Sequence, residues 1–312
     1  TPNAYFSSLI LNNLFVRKYI LLFLFIGSIV FQAGATHIVG GFISYRYIGG
    51  SQYELTMKIY RDCNSQTLFD GDPNNTTVPS AAVGLFELNG GSYNLITTFQ
   101  LVNPVVRPIP STSTNPCLNV PPGICVEEGT YITTFTVPDP NKSYMLVYER
   151  CCRNGTINNL NNPGNQGATY TATIPPTNAY RNSSPVFNKF PPTFICANSP
   201  LSFDNSATDL NGDSLVYSLC TPNDGASQSD PAPTTPNNPP YFPISWQAPY
   251  NQSDPLGGVP LNIDATTGLL TGTPDQTGAY VVGICITEYR NGVLIGSYIR
   301  DFQFIVSQCD IP

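Results

Sequence analysis

The sequence predicts an all-β, loop-rich protein built as two antiparallel β-sandwiches behind an N-terminal signal segment. Three observations carry this. Pro and Gly number 30 and 25 in 312 residues, well above ordinary usage, so the backbone turns often. Charged residues make up only 11% while Tyr and Phe number 18 and 17, a balance suited to strands rather than to helical bundles. No window of ten or more residues beyond position 36 keeps a helical period, whereas alternation of apolar and polar residues recurs.

Residues 53–60 (YELTMKIY) place Tyr53, Leu55, Met57 and Ile59 on one face and Glu54, Thr56 and Lys58 on the other, a half-buried strand. It pairs with 42–48 across Gly49-Gly50-Ser51-Gln52. Segments 82–88 and 92–101 form a second hairpin around Asn89-Gly90-Gly91. Strands 130–137, 143–150 and 168–174 complete about seven in residues 36–176, enough for one sandwich. Ile174-Pro175-Pro176-Thr177 closes that unit. The second unit, 177–309, takes strands 200–203, 214–219, 279–288 and 293–306, the last two joined at Arg290-Asn291-Gly292. The Asn-rich 153–167 and the Pro-rich 221–243 read as exposed surface loops, the latter an insertion between strands.

Residues 1–35 read as an upstream extension and a secretory signal. Arg17-Lys18 is a positive n-region, Tyr19 to Phe31 an apolar run of 13 residues, and Ala33-Gly34-Ala35 a small-residue cleavage site, with the mature chain starting at Thr36. An apolar run of 13 is too short to span a bilayer. The first methionine is Met57, inside a predicted strand, so the natural start lies upstream or at a non-AUG codon such as Leu14 or Val16. Cys309 to Pro312 end just after a strand, and the chain reads as a fragment of something longer.

All nine cysteines follow the signal: Cys63, Cys117, Cys125, Cys151, Cys152, Cys196, Cys220, Cys285 and Cys309. In an exported chain they read as disulfides, and no CxxC pair exists to support a metal site. Cys117–Cys125 would close a short Pro-rich loop. One of Cys151 and Cys152 is expected to reach Cys63, since strand neighbours point to opposite faces. Cys309 is the candidate to pair outside the fragment.

Net charge excludes nucleic-acid binding: 13 Lys+Arg face 20 Asp+Glu, giving −7. A single histidine, His37, removes the commonest acid–base group and the commonest zinc ligand, so the chain is expected not to be an enzyme. Ile38-Val39-Gly40-Gly41 imitates an activated trypsin-like N-terminus, but no histidine follows it to serve a triad. Glu127-Glu128, the one paired-carboxylate candidate for glycoside hydrolysis, reads as a solvated loop whose adjacent side chains diverge. Asp209-Leu210-Asn211-Gly212-Asp213 places the side-chain oxygens of Asp209, Asn211 and Asp213 at alternate positions around a glycine turn, a pattern that suits Ca²⁺, with Asp204, Glu288 and Asp301 as further ligands. The twelfth position is Cys220 rather than Glu, which excludes an EF-hand, and an Asx-type turn is the competing reading.

ATHIVGGFISYRYIGGSQYELTMKIYRDCN (35–64) and YERCCRN (148–154) resemble the N-terminal region of large secreted surface proteins of gliding, Bacteroidota-type bacteria. DLNGDSLVYSL (209–219) and PLNIDATTGLLTGTPDQTGAYVV (260–282) resemble an Ig- or cadherin-like repeat, with Tyr280 as a corner tyrosine. The resemblance implies two Ig-like β-sandwich domains after a signal peptide. It also implies a secreted, cell-surface, non-catalytic adhesin or scaffold linked to gliding motility and cell adhesion. Its partners would be other surface proteins or extracellular glycans met through loops 64–80, 153–167 and 221–243, with no membrane span in the mature part. The alternative is a carbohydrate-binding accessory region of a secreted polysaccharide-degrading enzyme, using exposed Tyr or Trp246. A catalytic β-sandwich hydrolase would need an acidic pair that the residues do not reveal.

Overall fold

The computed structural model describes residues 38–65, 67–110 and 123–309. The signal segment, His37 and Cys117 lie outside the described residues. The long strands fall where alternation places them: β1 (Ile38–Gly49), β2 (Gln52–Asp62), β3 (Ala81–Asn89) and β4 (Ser92–Leu101). After β5 (Val105–Pro108) come β6 (Val126–Thr136), β7 (Ser143–Arg150) and β8 (Ala168–Ile174). A one-turn helix α1 (Thr177–Tyr180) leads to short strands β9 (Val186–Phe187), β10 (Ile195–Cys196), β11 (Leu201–Asp204) and β12 (Ala207–Thr208). The chain finishes with β13 (Ser214–Cys220), β14 (Val259–Ile263), β15 (Leu269–Thr273), β16 (Gly278–Arg290) and β17 (Val293–Ser307).

The protein is all-β. Its largest sheet has 12 strands along the path β4-β3-β7-β8-β17-β1-β2-β6-β5, with β16 and β10 also on β17 and β13 on β16. Apart from the short parallel β10–β17 pair, its ladders are antiparallel. The inward residues of β2 (Leu55, Met57, Ile59) share one core with Val83 and Leu85 of β3, Leu146 and Tyr148 of β7, and Ala172 of β8. Two wings of the sheet therefore face each other across a sandwich core. A second core packs Tyr280, Val282 and Ile284 of β16 and Phe302, Phe304 and Val306 of β17 against the three-stranded sheet β11-β15-β14 through Phe203, Leu261 and Leu270.

Strand β17 belongs to both cores. Tyr298 lies in the first, and Phe302, Phe304 and Val306, on the same face further along, lie in the second. Its 15 residues reach about 50 Å, long enough to pair with β8 at Tyr298↔Ala172 and with β1 at Gly41↔Asp301. Residues Ala35–Pro312 cluster as one compact unit.

Gly40-Gly41 owes its place to packing. A Cβ on Gly40 would press on the Asp301 carbonyl and Phe302, and one on Gly41 on the Lys58 carbonyl, so both glycines let β1 pass closely between β17 and β2. Tyr280 is buried at the start of β16, and its hydroxyl donates to the Gln276 carbonyl four residues upstream at 3.3 Å, a corner bond.

The two long loops lie at the surface, as expected, but are anchored by buried residues. In 153–167, Ile157, Leu160, Asn159 and Gln166 are buried, and Ile157 and Leu160 form a third core with Ile244, Ala279 and Val281. Asn159 bonds the backbone of Val281 on both sides and the Pro255 carbonyl. Segment 221–243 is tied down by Glu149, which accepts from Asn237 N at 2.6 Å and Ala226 N at 3.2 Å, while Arg150 donates to the Pro231 carbonyl. Polar, Pro-rich composition concealed the anchoring because a backbone bonded to buried side chains needs no hydrophobic period of its own. In loop 64–80, Phe69 and Asp70 are buried, with Asn74, Thr76 and Thr77 left outside.

Where the loops meet, a Cβ on Gly167 would fall on the Gly225 carbonyl, and one on Gly225 would fall on Thr169 Oγ1. Gly167→Ala is expected to lower stability by about 1–3 kcal/mol through overpacking of rigid backbone. Urea denaturation checks it, and a midpoint equal to wild type contradicts the close approach.

The disulfides also correct the expected pairing. Cys63 joins Cys125, Cys151 joins Cys152, Cys196 joins Cys309 and Cys220 joins Cys285. Cys125 therefore does not pair with Cys117, neither Cys151 nor Cys152 reaches Cys63, and Cys309 is bonded within the chain. The physical reason is sheet register: Asp62↔Val126 and Ser218↔Cys285 set the first and last pairs side by side on neighbouring strands. Peptide mapping without reductant is expected to recover a Cys63–Cys125 linkage, and a Cys117–Cys125 peptide would contradict the structure.

Candidate functional site: a buried carboxylate cluster and an apolar cleft

The segment Asp209–Asp213 turns the chain from β12 into β13. Asp209 Oδ1 accepts the N–H groups of Asn211 at 2.9 Å and Asp213 at 2.8 Å, and Gly212 takes φ +77, so the local structure is an Asx turn. Antiparallel pairing of Ser214 with Tyr289 then sets Asp213 beside Arg290 and Asp209 beside Glu288. Carboxylate oxygens of Asp209, Asp213 and Glu288 lie within 4.8 Å of one another.

Each member has a distinct electrostatic role. Arg290 grips Asp213 with two donors, at 2.7 and 2.5 Å, and also donates to Asn182 Oδ1 and the Tyr180 carbonyl. Glu288 is fully buried; it accepts from Asn182 Nδ2 at 3.0 and 2.8 Å and from Tyr298 at 2.6 Å, whose hydroxyl meets Tyr45 at 3.1 Å. Burial pushes its carboxyl up to about 8; the Tyr298 and Asn182 bonds oppose that rise and Asp209 adds to it. Burial thus favours the protonated form of Glu288. Asp209 Oδ2 beside it is buried without a hydrogen-bond partner among the described residues.

Of the residues that spacing nominated for calcium, three meet here and three do not. Asn211 turns its Oδ1 to the Ser183 N–H at 2.8 Å. Asp204 pairs with Lys189 at 2.9 Å, and Asp301 is buried against Arg153. Asp213 is held by Arg290, and calcium at the three carboxylates would draw the rest of its six to eight oxygens from backbone carbonyls or water. The cluster as built draws its positive charge from Arg290.

Glu127 and Glu128 lie on β6 rather than in a loop, and their side chains diverge onto opposite neighbours. Glu127 pairs with Arg61, and Glu128 with Lys58 at 3.2 Å and Thr130 at 2.9 Å. The YERCCRN segment serves as a polar hub: Tyr148 donates to Asp70 at 2.6 Å, Arg150 pairs with Asp70 at 3.2 Å, and Arg153 pairs with Asp301. Trp246 is half-buried against the third core and donates to Thr221 at 3.2 Å.

Sequence reasoning passed over a cleft of about 540 Å³ between Ile109-Pro110, residues 188–193, β11 and the start of β15. Phe190, Pro191, Pro192, Phe203 and Leu269 wall it, and Lys189 and Asp204 stand at its rim. The written signal was Asn188-Lys189-Phe190-Pro191-Pro192, an aromatic and a charge beside two prolines with no strand period to explain them.

These features define a disulfide-stapled, all-β protein of an oxidising compartment. No family model matches the chain, and no curated protein does. A solved structure similar to it is the crystal structure of the mouse nectin-like molecule 4 full ectodomain (Ig1–Ig3), at 9% identity over 87% of this chain and 66% of that one, with a TM-score of 0.19. At that TM-score the likeness carries no argument. Among the described residues, no helix is long and apolar enough to cross a membrane.

Proposed function

We propose that the chain is a non-catalytic adhesive or scaffolding module of an extracellular, cell-surface protein, of the kind its resemblance links to gliding motility. One observation carries this reading. Disulfides closing 62, 113 and 65 residues staple both sandwich cores, a device suited to holding shape where no reducing pool or chaperone acts. The carboxylates support it as well. Glu127, Glu128, Asp213, Asp70 and Asp301 are engaged by Arg or Lys, as structural acids are. Partners would be surface proteins or extracellular glycans.

Antibody labelling of intact source cells tests the location, and labelling that appears only after permeabilisation overturns it. Sequencing the coding region past Pro312 tests the role. Further sandwich repeats with a sorting domain fit an adhesin. A downstream catalytic domain would instead make this an accessory region of an enzyme.

A further inference from the structure

We propose that the cleft between Phe190 and Leu269 binds a neutral saccharide of one or two rings, with a ring face stacked on Phe190 and its hydroxyls on Lys189 and Asp204. This rests on reading the chain as a binding module rather than a catalyst, and names the ligand class.

The cleft is the size of a small-molecule site, about 540 Å³, and has that composition: apolar walls with few polar groups. Phe190 is 44% exposed, and Lys58 Nζ lies 5.6 Å from its ring centroid, so the ring is held from one side and open to solvent elsewhere. Thr193 lines the cleft at 6% exposure, with its Oγ1 closed to solvent.

The rim selects among ligands. Lys189 Nζ and Asp204 Oδ2 stand 2.9 Å apart with side chains 57% and 40% exposed, so they present both signs side by side. An anion or cation is drawn by one and repelled by the other. A neutral hydroxyl accepts from the ammonium and donates to the carboxylate. Asp204 stays ionised for this: its carboxyl is lowered to about 2 by Lys189 and Ser206. An acyl chain would take the exposed Lys189–Asp204 pair out of water and return no hydrogen bond to it. A polyproline helix needs a groove of several aromatics, and here the walls are themselves prolines around one exposed ring.

The test titrates the full chain with cellobiose, maltose, xylobiose and mannobiose by calorimetry and ligand-observed NMR, with triproline as comparison. At least one disaccharide is expected to bind in the millimolar range. Phe190→Ala should weaken it about three- to tenfold, as lost stacking does. Asp204→Ala should weaken it about tenfold or more, as a lost charged hydrogen bond does. Both side chains are partly exposed, so both variants keep the fold. Absence of binding by all four sugars, equal binding by both variants, or tighter binding of triproline overturns the cleft assignment and leaves the scaffold reading standing. New reducing ends appearing during the titration overturn both.

Discussion

Asp301→Ala is expected to lower the folding stability by about 3–5 kcal/mol, the range for stripping one partner from a buried ion pair. Asp301 is 1% exposed on β17, and Arg153 meets both its oxygens, at 3.1 and 2.5 Å. Arg153 is itself buried, and its remaining partners are the carbonyls of Gly167 and Asn223. Without Asp301 the buried guanidinium keeps its charge, and the two carbonyls with the neighbouring Asp224 offset it only in part. The pair also joins the loop after β7 to the strand shared by both cores, so the loss should appear as one cooperative shift of the whole unfolding curve. The double variant Arg153→Met/Asp301→Leu should recover most of that loss, because an apolar pair carries no desolvation penalty. Denaturant unfolding of the three proteins decides it. A cost below about 1 kcal/mol for Asp301→Ala would mean that the site is wetter or softer than the structure shows.

Stability is expected to fall as pH rises from about 5 to 8, with a slope approaching about 1.4 kcal/mol per unit. The group responsible is Glu288. Its folded-state carboxyl, pushed up to about 8 by burial, binds a proton that the unfolded chain, with a value near 4.5, has already released. The folded state therefore holds more protons across that window. The stabilisation is complete below the unfolded value and is lost as pH passes through the folded one. Once ionised, Glu288 faces Asp209 and Asp213, with Arg290 the only cation in the cluster among the described residues. Glu288→Gln keeps an acceptor for Tyr298 and should flatten the slope. Thermal melts of both proteins across this range give the measurement. A wild-type profile as flat as that of the variant would show that the carboxyl is ionised throughout, and would return the cluster to contention as a cation site.

Much of the fold could be read locally. Hairpins at Gly49-Gly50, Asn89-Gly90-Gly91 and Arg290-Asn291-Gly292 were legible because a tight turn needs positive φ within two or three adjacent residues. Alternation over 53–60 marked the buried face, because a strand's side chains swap sides at every residue. Asp209, Asn211 and Asp213 were nominated by spacing, with Asp204, Glu288 and Asp301 as further ligands, yet spacing alone could not show that Arg290 would arrive from β16 to bind Asp213. The cleft was invisible for a related reason: its walls come from segments near 109, 190, 203 and 269 that no local pattern connects.

The sequence by itself therefore determined the class of the protein: an all-β chain of strands and tight turns with cysteines placed to form disulfides. These follow from φ/ψ preferences, side-chain period and composition, which act within a few residues. Tertiary structure alone decided which cysteines meet, that β17 serves two cores, which residues anchor the Asn- and Pro-rich loops, and where a ligand could sit. Each of these depends on register between strands separated by tens to hundreds of residues. That register is selected by the joint burial of side chains such as Tyr298, Phe302 and Leu55, and no segment carries it alone.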